Sequence, residues 1–273
     1  MERLQKALDR ARSERERQLQ GSIATQSDAS DAPLPPPDPV VLSRTRVVPV
    51  DPAVLSANGV MPADASGPTG NAFKMLRTQV LQRMQQQGWN TLAVLSPSPG
   101  DGKTYVAINL AIAIAGDPNH TALLVDFDLR NPSVHQRFGF QPQSGVEQCL
   151  RGEVSIADAL VTPQGYRKLL LLPAVSAVNN SSESLASERT RKLTREIKHR
   201  YANRVVLFDL PPVLGHDDAL AFAPQVDAAL VVAAEEHTRR EDLLRCFEVL
   251  RNIPIVGTVL NASRSTASHA YAY

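Results

Sequence analysis

SPSPGDGKTYVAINLAIAIA, residues 96–115, decides the fold. It opens with small residues, two prolines and Gly100 and Gly102, and then turns into a long apolar run that begins at Lys103 and Thr104. The run is long and alanine-rich enough for a buried helix, although part of it alternates as a strand would. The stretch before it, TLAVLS (91–96), reads as a strand. Strand, glycine loop, lysine and hydroxyl, then helix is the order of a phosphate cradle. Gly100 and Gly102 let backbone N–H groups turn inward, the helix N-terminus adds partial positive charge, and Lys103 reaches the β and γ phosphates. Thr104 offers its hydroxyl to Mg²⁺. The strict pattern would place its first glycine where Pro97 stands. The bland alternative is a Gly/Pro turn with an incidental lysine.

Working outward, further short apolar runs alternate with longer helical stretches: TALLVD (121–126), KLLLLP (168–173), RVVLFD (204–209), DAALVVAA (227–234) and IPIVGTVLN (253–261). Near-continuous apolar strands separated by helices predict an α/β fold, a mostly parallel sheet with helices on both faces. Chemistry is then expected just beyond the carboxyl ends of the strands. Asp126 and Asp128 stand at one such end and Asp209 at another. Any one of them alone reads as a helix cap or turn residue. Three beside a phosphate loop are costly unless solvated or bound to a cation, and Mg²⁺ held by carboxylates and substrate phosphates meets that need. Strand alternation predicts that Asp126 and Asp128 point to the same side.

Upstream, residues 1–20 read as a short amphipathic helix with a thin apolar stripe, either solvated or a docking helix. Residues 21–70 hold nine of the 20 prolines and read as a linker, although RTRVVPVDPAVL could dock on the body as an extended segment. The folded domain is expected over 71–264, opening with a helix stopped by Gly88, and a tail over 265–273 carries Tyr271 and Tyr273, two of five tyrosines. With 29 basic against 28 acidic residues, charge gives no reason to expect nucleic acid as a partner. Two cysteines, Cys149 and Cys246, lie in no metal-ligand spacing and suit a reducing compartment. No apolar stretch approaches the roughly 20 residues of a membrane span, so a cytoplasmic location is expected.

Taken together, SPSPGDGKT, LLVDFDLRNPSVHQRFG and VVLFDLPPV, with LASERTRKL and GTVLN, resemble the Walker A, second and Walker B motifs of the bacterial tyrosine autokinases (BY-kinases) of polysaccharide export. The likeness runs from about Val48 to Asn261 and is nearest the cytoplasmic form made separately from its membrane activator. It implies ATP and Mg²⁺ as cofactors, with Pro99, Gly100, Asp101, Gly102, Lys103, Thr104 and Tyr105 around the nucleotide. It further implies that Thr104 and Asp128 hold the metal, that Asp209 supports it, and that Asp126 orients or deprotonates a tyrosine hydroxyl. Arg130 would either stabilise phosphate charge or pair with a carboxylate, and Asn261 with Arg264 would contact the base or simply form a turn. The family's assembly helix reads here as Asn71, Lys74 and Arg77, without its glutamate, which bears on any homo-oligomer. The expected partner is a membrane-anchored chain-length determinant that could hold the protein at the inner membrane, and the expected phosphoacceptors are Tyr271 and Tyr273 of another subunit. Two rivals stand: a Min- or Par-type ATPase, whose signature lysine is Ser98 here, and a non-catalytic ATP-binding adaptor.

Overall fold

A computed structural model describes residues 45–200 and 203–263. The N-terminal helix expected over 1–20, Tyr201, Arg264, Tyr271 and Tyr273 therefore lie outside the described residues. The strands are β1 (Arg46–Val48), β2 (Thr91–Leu95), β3 (Thr121–Asp126), β4 (Val161–Pro163), β5 (Leu169–Leu172), β6 (Arg204–Asp209), β7 (Ala228–Ala234) and β8 (Ile255–Asn261). Each apolar run identified in the sequence supplies one of them; β1 and β4 are too short to give a periodic signal. They form one sheet in the order β1-β4-β5-β3-β6-β2-β7-β8. From β5 to β8 all neighbours are parallel, whereas β4 runs antiparallel to β5 and carries β1 parallel to itself.

The helices are α1 (Pro52–Ala57), α2 (Gly67–Gln87), α3 (Lys103–Ala115), α4 (Val134–Phe138), α5 (Val146–Arg151), α6 (Ile156–Ala159), α7 (Ser181–Ala186), α8 (Glu188–His199), α9 (Asp218–Phe222) and α10 (Arg240–Val249). Strand alternation divides the core into two layers. Leu92, Val94, Leu124 and Leu207 face α2 and α3, while Ala93, Leu95, Val125 and Phe208 face α5, α8, α9 and α10. Helix α3 has ten of its 13 residues buried, from Thr104 to Ile114, which explains why its sequence shows no clear helical stripe. Gly88 ends α2 in the left-handed region, at φ +69°.

The folded body begins well before residue 71. Asp51 caps α1 by accepting from the Ala53 N–H at 2.8 Å, with Pro52 in the first turn. Leu55 and Val60 are buried in the α2–α3 layer. The buried Asn109 of α3 then fastens the segment, donating to Gly59 O and accepting from Met61 N, both at 2.9 Å. The linker boundary expected at residue 70 is thus corrected: residues 46–61 give a strand, a helix and core side chains. Proline there starts a helix instead of marking a linker, and composition alone does not separate the two.

Candidate functional site

The chain leaves β2 for β3 on one side, and leaves its neighbour β6 for β7 on the other. The carboxyl ends of β2 and β6 are therefore the switch point at which an open α/β sheet leaves a crevice. Here the loop from Ser96 to Gly102 enters α3. Gly100 and Gly102 have φ of +87° and +88°, which an L side chain resists. A Cβ on Gly102 would also stand 2.0 Å from Asn261 Nδ2.

Asp101 lies in the loop but faces inward. Its buried carboxylate accepts from Ser98 N at 2.9 Å and from Thr238 Oγ1 at 2.6 Å, and meets His237 Nδ1 at 2.9 Å. A carboxylate pointing at phosphate would repel it; turned inward, Asp101 braces the loop against the segment after β7. Its side chain therefore does not line the cleft, which leaves only its backbone to face a nucleotide. Asn261, expected at the base, has its amide nitrogen committed to the loop instead, donating to Asp101 O at 3.0 Å.

The acidic strand ends converge on the start of α3. Lys103 Nζ lies 2.7 Å from Asp128 Oδ2 and 3.7 Å from Asp209 Oδ1, an ion pair with both and a hydrogen bond with the first. Thr104 Oγ1 donates to Asp209 Oδ2 at 2.6 Å. Asp126 and Asp209 are direct cross-strand partners in the β3–β6 register, and both side chains are fully buried. Asp126 Oδ2 accepts the Ser133 and Val134 N–H groups, each at 3.0 Å, at the start of α4. Asp126 Oδ1 and Asp209 Oδ1 accept no hydrogen bond. Behind them Phe127, Phe208 and Phe222 form an aromatic cluster with centroids 4.8–5.3 Å apart, which fixes the strand ends.

Charge balance follows from this geometry. Burial, with the Asp209 charge beside it, pushes the Asp126 carboxyl well above the ordinary range, against the pull of the two N–H groups. Burial raises Asp209 too, opposed by Lys103 and Thr104. For Lys103 burial alone would lower the pKa, but Asp209, Asp128 and Asp126 outweigh it and the ammonium is held.

These groups border a cleft of about 380 Å³ lined by Pro99, Gly100, Gly102, Lys103, Thr104, Tyr105, Asp128 and Arg130 of the expected set. Asp126 and Asp209 are fully buried and do not line it; although β3 ends at Asp126, the alternation runs on, with Val125, Phe127 and Leu129 in one layer and Asp126 and Asp128 both acting on Lys103 from the other. Arg130 takes the pairing role, its Nε donating to the buried Asp218 at 2.8 Å, while it still borders the cleft. Arg137 and His216 also line it, and the sequence reading picked out neither, because no spacing links them to the loop.

Oxygen donors dominate here: one hydroxyl and the carboxylates of Asp128 and Asp209, with an Asp209 oxygen that accepts no hydrogen bond. That set suits Mg²⁺, which takes one or two carboxylates and completes its shell with phosphate and water.

Loop, helix and sheet order define a P-loop NTPase fold. No protein-family model matches the chain. It is 32% identical over 206 residues to the tyrosine-protein kinase Wzc of Salmonella typhimurium, covering 74% of this chain and 28% of Wzc. To the tyrosine-protein kinase YwqD of Bacillus subtilis it is 27% identical over 203 residues, covering 74% and 84% of the two chains. The crystal structure of the VpsO kinase domain superposes with a TM-score of 0.63 at 30% identity, covering 71% of this chain and 94% of that one. The chain belongs to the bacterial tyrosine-kinase family, and spans a little over a quarter of the length of Wzc, at 28%.

Proposed function

We propose that the protein is an ATP- and Mg²⁺-dependent tyrosine autokinase of polysaccharide synthesis and export. The observation that carries this reading is the convergence of Lys103, Thr104, Asp128 and Asp209 at the switch point, beside the cleft. Lys103 and the loop N–H groups bind the β and γ phosphates, and Arg130 and Arg137 add charge along the cleft. Thr104 and Asp128 would hold Mg²⁺, with Asp209 behind them. When bound, the metal supplies charge neutralisation on the transferring phosphoryl group, which this reaction needs more than covalent help. Asp126, whose pKa burial raises, is in this reading the group that orients or deprotonates the tyrosine hydroxyl, which requires the loop that covers it to give way when the acceptor binds. A membrane-anchored chain-length determinant is the partner in this reading, and assembly into a homo-oligomer brings one subunit's tail to another's cleft.

Tyr271 and Tyr273 are the acceptors in trans. The test mixes a Lys103→Met chain with an intact chain lacking its last three residues, in labelled ATP and Mg²⁺. Phosphotyrosine should appear on the Lys103→Met chain, within its tail. Phosphate on Tyr105 or Tyr166 alone, or ATP hydrolysis without phosphotyrosine, would overturn the assignment.

A further inference from the structure

Helix α8 carries Arg191, Thr194, Arg195, Lys198 and His199 at helical spacings that place them along one side. With Gln225 they line a second cleft of about 280 Å³. It is remote from the phosphate loop: Lys198 pairs with Asp227, which also holds Thr91 at the start of β2, whereas the loop leaves from that strand's end.

A basic helix face is usually no more than a solvated surface, but three features here go further. Arg191 and Lys198 are partly neutralised, by Glu188 at 2.9 Å and by Asp227, whereas Arg195 and His199 make no hydrogen bond or ion pair with any described residue. The Thr194 hydroxyl and Gln225 Oε1 are buried without a hydrogen-bond partner, and both residues line the cleft. The Gln225 orientation is fixed, because its Nε2 donates to Leu185 O at 2.8 Å. Two such atoms each cost about 1–3 kcal/mol when left unmade, and both belong to residues that line the cleft beside Arg195 and His199.

We propose that this cleft binds a phosphate-bearing ligand. Arginine's planar fork matches phosphate oxygens two at a time, lysine adds charge, a histidine ring N–H adds a donor, and a threonine hydroxyl donates to a remaining oxygen. Gln225 Oε1 accepts from a hydroxyl on the rest of the ligand, and the volume admits a small organic phosphate or a lipid headgroup, more than a bare ion.

The test uses the full chain and inorganic pyrophosphate, followed by calorimetry, with Lys103→Met separating this cleft from the phosphate loop. Pyrophosphate should still bind the Lys103→Met chain. Arg195→Gln, at an exposed position, should weaken that binding at least tenfold, and Thr194→Val several-fold without loss of thermal stability. Phosphatidylglycerol vesicles form the second arm. Sedimentation of the wild type with them, but not of Arg195→Gln, identifies a headgroup; pyrophosphate binding without vesicle binding identifies a soluble phosphate. Binding that vanishes with Lys103→Met and ignores Arg195→Gln, with vesicles that do not distinguish the variants, overturns the proposal. So does Arg195-dependent retention of an acidic peptide when neither phosphate probe binds, which would mark a protein interface.

Discussion

Asp126 and Asp209 face one another across adjacent buried strands, and among the described residues Lys103 is the cation placed to offset them. Folding therefore raises the Asp126 pKa. A carboxyl of that kind favours the folded state at acid pH; the contribution is whole below its unfolded pKa of about 3.9 and is lost as pH rises through the folded value. Both N–H groups on Asp126 go to the one oxygen Oδ2, so an asparagine can keep them. Asp126→Asn should accordingly be more stable than the wild type at pH 7, by about 1–2 kcal/mol, with the gain shrinking towards pH 4. Its phosphotransfer should fall about 100-fold or more. Urea unfolding at several pH values checks the first part; a variant less stable at pH 7, or a gain unchanged by acid, would refute the electrostatic account. Asp126 was legible in the sequence as an acidic strand end, but its burial was not, because alternation places a side chain relative to its own strand and is silent about the loop that covers it.

At the scale of elements, the amino ends of β2 and β7 are tied by one carboxylate. Asp227 accepts from Asn90 N at 3.0 Å, Thr91 N at 3.1 Å and Thr91 Oγ1 at 2.7 Å, and pairs with Lys198 of α8. Burial would raise its pKa, but Lys198 and these donors together hold it below the usual value. The sign is the reverse of Asp126: the stabilisation is present above the unfolded pKa and is lost as pH falls through the lower folded one. Asp227→Ala should cost about 2–4 kcal/mol at pH 7, with a smaller deficit below about pH 3. Denaturant midpoints at the two pH values measure it, and equal deficits at both would show that packing, not charge, is what was lost. The sequence places β2, β7 and α8 but gives no sign that Asp227 joins them, since Thr91 and Asp227 are far apart in the chain and meet only when two parallel strands pair.

Over the whole molecule, β1 and α1 turn an apparent linker into part of the body, closing the sheet beyond β4 and covering α3. A chain shortened to begin at Ser66 loses Leu55 and Val60 from the core and leaves Asn109 without its Gly59 and Met61 partners. Its melting temperature should fall by roughly 10 °C or more, while a chain beginning at Thr45 should melt with the full-length protein. Equal melting of the two shortened chains would return this segment to linker status. By itself the sequence determined the α/β class, the six principal strands, the phosphate loop and the acidic strand ends, because each is written in local periodicity, glycine placement or a short motif. Only the tertiary structure decided that Asp101 and Asn261 brace the loop, that Arg130 pairs with Asp218, that Asp126 is fully buried and does not line the cleft, and that residues 46–61 belong to the core. Each of those depends on contacts between residues distant in the chain or on what covers a side chain, and neither periodicity nor composition carries that information.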